Sequence, residues 1–100
     1  MTLRETLSVA AEAAGVAPTV APDGAIEWAR DGRPFATLDA AGGRAAFRLD
    51  PVLATAARRT PDTGASGLGP EWVEFAPGTL DGHAIDRASA WFAAAARRAG

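Results

Sequence analysis

The dipeptide Asp31-Gly32 constrains the fold of this chain more than any other feature. It separates two short runs, Ala25 to Arg30 and Arg33 to Leu38, that are rich in strand-forming residues. Asp-Gly favours the tight two-residue turn of a β-hairpin, because both turn positions need a positive φ. The sequence therefore predicts two antiparallel strands joined at this turn. In that register, one face carries the opposed pairs Trp28 with Phe35, Ile26 with Thr37 and Arg30 with Arg33.

A third strand and a helix are predicted directly after the hairpin. Following the Gly42-Gly43 turn, apolar residues alternate with polar or small ones as far as Leu49, which indicates a strand with one buried face. Asp50-Pro51 then supplies a helix N-cap and a proline in the first turn. The same alternation places Arg44 and Arg48 on the outer face of the sheet.

The remaining segments complete an α+β order. Thr2 and Glu5 fit a capping box that begins a first helix, and Asp81 caps a last one. The Gly-, Pro-, Ser- and Thr-rich segment Thr60 to Pro70 is predicted to be a loop, and Glu71 to Phe75 a strand. We expect a single domain over residues 1–100: an antiparallel sheet of four to five strands covered by helices, in the order α-β-β-β-α-β-α.

Composition limits the classes of function. The 100 residues carry a net charge of -2 and contain no Cys, no Tyr, no Lys and one His, His83. Few side chains could therefore act as a nucleophile or a general base, and no thiolate metal site can form. No leader-like segment or membrane-length apolar run occurs. These features predict a cytoplasmic binding module that is not an enzyme, with no metal, no cofactor and no membrane partner.

Four short motifs together resemble the MmcQ/YjbR-like family. They are Arg33-Pro-Phe-Ala-Thr-Leu, Ala46-Phe-Arg-Leu with the following Asp-Pro, Glu71-Trp-Val-Glu-Phe and Ser89-Ala-Trp. The likeness covers roughly the last three quarters of the chain. It implies a frataxin-like α+β fold described as a double-wing DNA-binding motif, and it implies no catalytic residues. Where relatives usually carry a basic residue just before the Trp of the last strand, this chain has Gly69-Pro70-Glu71.

Arginines are the candidate contacts for duplex DNA. Arg30 and Arg33 flank the hairpin turn, and Arg44 and Arg48 are predicted on the outer sheet face. A guanidinium binds a phosphate bidentately, and a local group of arginines can do so although the whole chain is acidic. The alternative interpretation is an ordinary solvated face, because charged side chains are usually exposed.

A second function, protein interaction, stays open beside nucleic-acid binding. It would use either the predicted 60–70 loop or the outer sheet face. The hairpin register makes that face shallow and rich in small residues, unless a helix covers it. Its apolar members would be Ala25, Ala29, Ala36, Leu38 and Ala46.

Overall fold

Three helices pack on one face of a six-stranded antiparallel sheet in the computed structural model, which describes all residues from Met1 to Gly100. The helices are α1 (Leu3–Ala14), α2 (Pro51–Ala57) and α3 (Gly82–Ala99). The strands are β1 (Pro18–Val20), β2 (Ile26–Arg30), β3 (Arg33–Leu38), β4 (Ala45–Arg48), β5 (Thr63–Ser66) and β6 (Gly69–Phe75). Their order in the sheet is β1-β2-β3-β4-β6-β5.

The α+β class is as predicted, but the sheet has six strands instead of four to five. The predicted order contains four strands, so β1 and β5 are additional, and β5 lies inside the segment 60–70 that the sequence predicts to be a loop. Gly64 and Ala65 are poor strand formers, yet β6 offers a free edge, and Thr63 pairs with Phe75 across it. The hydroxyls of Thr60 and Thr63 donate to the carbonyl of Ala57 at 2.7 and 3.0 Å, which fixes the start of the strand. The main-chain pairing of β5 with β6 therefore outweighs the low strand propensity of this segment.

The β2–β3 hairpin forms as predicted at its turn and departs from the prediction beyond it. Asp31 and Gly32 have φ of 53° and 79°, and Arg30 lies opposite Arg33. A β-bulge at Phe35 then shifts the register by one residue, so that Ala36, rather than Phe35, is the partner of Trp28. The predicted pairing of Trp28 with Phe35 is therefore wrong.

The bulge also changes which side chains face the core. Ile26 pairs with Leu38 instead of Thr37. Phe35, Ala36 and Leu38 are all buried, whereas the sequence register placed Ala36 and Leu38 on the outer face. A bulge lets two consecutive residues oppose one partner, and burying the Phe35 ring explains why the strand accepts it.

The core lies between the sheet and the helices. Phe92 of α3 packs edge-on against Trp28 and Phe35, with ring centroids 5.3 Å apart in both pairs. Trp91 of the same helix packs against Phe75 at 5.2 Å. Edge-to-face contacts of this kind add to the free energy gained by removing large rings from water. The aromatic residues therefore join α3 to the strands from β2 to β6.

Capping signals in the sequence mark the helix starts correctly. The Thr2 hydroxyl accepts from the Glu5 N–H, and the Glu5 carboxylate accepts from the Thr2 N–H, which completes the capping box of α1. The Asp50 carboxylate accepts from the N–H groups of Val52 and Leu53, and Asp81 caps α3 in the same way. These bonds satisfy N–H groups that a helix cannot pair internally.

The opposite face of the sheet has no helix over it. We call it the open face. Thr37, Ala46 and Glu74 lie side by side there on three neighbouring strands. Ala46 is 5% exposed and lies outside the main hydrophobic cluster. The open face is therefore available to a partner.

Candidate nucleic-acid interface

The structure brings three of the four predicted arginines to the same edge of the sheet. This edge is formed by the ends of the strands and not by an outer strand. β2 ends, β3 begins, β4 ends and β6 begins at this edge, because neighbouring strands are antiparallel. Arg30, Arg33 and Arg48 lie there. Arg44 precedes β4 at the opposite edge, so the four do not form one site.

Arg30 has a structural role at this edge. Its guanidinium donates to the carbonyl of Ala14, at the last residue of α1, over 3.1 Å. The end of α3 is also adjacent, since a Cβ built on Gly100 would lie 3.1 Å from the Arg30 Cδ. A cation between two helix C-termini stabilises the negative ends of both helix dipoles. Part of the Arg30 guanidinium is therefore already hydrogen-bonded within the protein and is not available to a ligand.

Arg33 and Arg48 meet a third arginine that the sequence did not associate with them. Together with Arg98 of α3 they line a cavity of about 200 Å³. The side chain of Arg33 is exposed and makes no hydrogen bond or ion pair with the rest of the chain. Local sequence explains Arg98 as a cation at a helix end, and only the fold brings it beside β3 and β4.

Glu71 is the carboxylate that holds this group together. Its Oε1 accepts from Arg98 Nη2 at 2.7 Å, and its Oε2 accepts from Arg48 Nε at 3.1 Å. These bonds, from Arg98 first and then Arg48, hold the pKa of the Glu71 carboxyl below its usual value. Arg48 bonds to the protein only through Nε, so both of its terminal nitrogens can still donate to a ligand.

Arg44 lies in a different environment from the other predicted arginines. Its Nε is 3.2 Å from Glu74 Oε1 on the open face. Asp39 and Glu27 line the same region. The carboxylates around Arg44 offset its positive charge, so we expect it to attract a phosphate only weakly. Arg44 therefore serves as a matched control for the arginines at the other edge.

The fold separates charge between the two ends of the molecule. The contacts place Arg30, Arg33, Arg48 and Arg98 at the end that holds the edge with Arg33, although the whole chain is acidic. The carboxylates beside them are Asp31 and Glu71. We call this end the basic edge. The rest of the chain contains more than one carboxylate for each arginine.

Trp72 is a site residue that sequence reasoning missed. It lies directly opposite Arg48 in the β4–β6 pair and is partly exposed, whereas Trp28 and Trp91 are 1% and 6% exposed. Trp72, Pro34 and Leu68 line a cavity of about 410 Å³ beside Arg48. The alternation of Trp72 and Glu74 with the core residues of β6 was the available signal, since it puts an aromatic ring on the polar face.

The open face forms a second, larger concavity. Its volume is about 510 Å³, and its lining runs from Thr19 of β1 to Leu68 at the β5–β6 turn. Leu68 is 58% exposed. The predicted small-residue character holds at Ala25 and Ala46, while Glu27, Thr37 and Glu74 make the rest of this surface polar.

Other candidate chemistry is sparse. His83 is exposed at the start of α3 and lines a polar cavity with Asp62, Asp81 and Arg87. No group of three or more His, Asp or Glu side chains is arranged to hold a metal ion. None of the helices combines the length and the apolar content that crossing a membrane requires.

Comparisons with known proteins give no relative for this chain. No family model matches the sequence, no curated protein matches it, and no solved structure matches it.

Proposed function

We propose that this protein is a non-catalytic module that binds the phosphate backbone of nucleic acids through the basic edge. The observation that carries the proposal is the grouping of Arg33, Arg48 and Arg98 around one cavity, in which Arg48 and Arg98 share the Glu71 carboxylate and Arg33 is unpaired. Guanidinium groups suit phosphates in geometry as well as charge. The resemblance to the MmcQ/YjbR-like family, with its double-wing DNA-binding motif, agrees with this function and is part of the proposal.

The charge separation between the two ends supports the same function. A cluster of arginines raises the local concentration of a polyanion and orients it, even when the net charge of the protein is negative. The remainder of the molecule, rich in carboxylates, would repel the same polyanion. Binding would therefore be restricted to one end of the molecule.

The test is a titration of a labelled mixed-sequence duplex, followed by fluorescence anisotropy at about 50 and about 200 mM salt. Saturable binding that weakens at the higher salt is expected. Arg33→Gln should lower the affinity and reduce the salt slope by about 0.9, the value for one phosphate contact. Arg44→Gln removes the same charge at the opposite edge and should leave both quantities unchanged.

Glu71→Gln gives the opposite prediction and so strengthens the test. The substitution removes the negative charge that pairs with Arg48 and Arg98, so both guanidinium groups become more available to phosphate. Tighter duplex binding is expected. Equal effects of the Arg33 and Arg44 substitutions, or no binding of either the duplex or its separate strands at the lower salt, would refute the proposal.

A protein partner on the open face is the second candidate function. The concavity of about 510 Å³ across the uncovered strands favours it. The segment 60–70 would take part as the edge strand β5 and its turn rather than as a loop. If neither the duplex nor its separate strands bind at low salt, this face becomes the leading candidate.

A further inference from the structure

We propose that the basic edge binds unpaired nucleotides, with a base stacked on Trp72 and the neighbouring phosphates bound by Arg48 and Arg33. The inference rests on the proposed function and specifies the class of nucleic acid. It commits to a single-stranded segment, because a base can reach the indole only when its own face is exposed. In a duplex the faces of the bases are covered by their neighbours in the stack.

The indole of Trp72 has the position that stacking requires. It lies on the face of the sheet that no helix covers, and it lines the cavity of about 410 Å³ together with Pro34, Leu68 and Pro70, while Arg48 and Glu71 form the polar side of the same cavity. Apolar groups beside an aromatic ring favour a flat, weakly hydrated ligand such as the face of a base.

Gly69 helps to keep the indole of Trp72 accessible to a ligand. Its φ of 140° is a conformation that favours glycine, and a Cβ built there would lie 3.6 Å from Cδ1 of Trp72. The absence of a side chain at Gly69 therefore leaves one edge of the indole uncovered. A larger residue would lie against the ring and narrow the cavity.

The arginines lie where the backbone of a stacked nucleotide would run. Arg48 is the direct cross-strand partner of Trp72. Side chains in such positions start about 5 Å apart, which brings the guanidinium and the indole within the span of a single nucleotide. Arg33 continues the positive surface around the cavity that it shares with Arg48. This combination of an aromatic platform with a cationic track is what single-strand binders use.

The intrinsic fluorescence of the protein offers a direct measurement. Trp28 and Trp91 are buried, so quenching by an added oligonucleotide would come mainly from Trp72. The ligands are a DNA oligonucleotide, the RNA oligonucleotide of the same sequence, and the matching DNA duplex, all at about 50 mM salt. We expect quenching by the single strands and tighter binding of at least one of them than of the duplex. A preference between DNA and RNA would show whether the 2′-hydroxyl contributes.

Two variants of Trp72 separate stacking from charge. Trp72→Ala should weaken single-strand binding by about tenfold to a hundredfold, the equivalent of one lost base stack, and leave duplex binding unchanged. Trp72→Phe keeps a flat ring and should retain most of the affinity. Circular dichroism of both variants checks the fold.

The outcomes distinguish the inference from the proposed function. If the duplex binds as tightly as the single strands and Trp72 is not quenched, the inference is overturned while backbone binding stands. If the Arg33 and Trp72 substitutions both weaken single-strand binding, both are supported. If no oligonucleotide binds, the proposed function fails and the inference fails with it.

Discussion

The two faces of β4 and β6 carry alternate residues of the same strands and differ in polarity and in the burial of their large side chains. On the core face, Phe47, Val73 and Phe75 are fully buried. On the other side, Trp72 and Glu74 are partly exposed. Burial of the large apolar side chains on the core face stabilises the fold. The partly exposed side chains of Trp72 and Glu74 on the other face contribute less to stability and can contact a ligand. Stability and binding should therefore be separable by substitutions one residue apart.

The largest effect is expected on the core face. Phe47→Ala removes a fully buried ring that packs against Trp91, at a centroid distance of 6.2 Å. The loss of burial and the cavity left behind should lower the free energy of unfolding by about 3 to 5 kcal/mol. Urea denaturation followed by circular dichroism measures this change.

Glu74→Gln on the open face is the control for that comparison. It breaks only the exposed pair with Arg44 and should change the free energy of unfolding by less than about 0.5 kcal/mol. Similar losses in the two variants would contradict the assignment of the faces.

The second prediction tests the bulge at Phe35. With the bulge, Leu38 is in the core and Thr37 is on the open face. Leu38→Ala should therefore cost about 2 to 5 kcal/mol. Thr37→Val keeps a branched side chain of the same shape at a partly exposed position and should cost less than about 1 kcal/mol.

A cost of less than about 1 kcal/mol for Leu38→Ala would instead place Leu38 on the open face and restore the register that the sequence alone suggests. The same denaturation measurement decides the question, because both variants can be compared with one wild-type curve.

Local chemistry explains what the sequence predicted correctly. The Asp31-Gly32 turn and the caps at Thr2, Asp50 and Asp81 depend on residues a few positions apart, and all four formed as expected. The errors involve distant partners. The bulge allows Phe35 to pack on Phe92, which lies far along the chain, and β5 forms because β6 provides an edge. Neither partner is visible in the local pattern.

The candidate site likewise combines residues that the local sequence indicates with residues that only the fold brings together. Arg33 and Arg48 stand out in the sequence as cations near a turn and at the end of a strand. That Arg98 joins them, and that Arg44 faces Glu74 instead, depends on the order of strands in the sheet. Trp72 was within reach of the sequence, since its alternation with Val73 already indicated a ring outside the core.

The smallest expected effect concerns Glu71 and the pH dependence of stability. Hydrogen bonds from Arg98 and Arg48 lower the pKa of Glu71 in the folded protein. On acidification the unfolded chain therefore takes up a proton at this carboxyl before the folded protein does. The contribution of Glu71 to stability is present above its unfolded pKa and is lost as the pH falls through its folded pKa. Because the group lies at the surface, the contribution is expected to be modest.

Glu71→Gln isolates this contribution. The difference between the unfolding free energies of the wild type and the variant should be positive near pH 7 and should shrink as the pH falls below the unfolded pKa of a glutamate. Glu5, whose pKa is also lowered by its capping box with Thr2, is present in both proteins and cancels in the difference. A difference that stays constant down to the acid limit of folding would show that Glu71 does not hold the two arginines in solution. The site would then present Arg48 and Arg98 as independent cations, and Glu71→Gln should tighten duplex binding only through the loss of one negative charge.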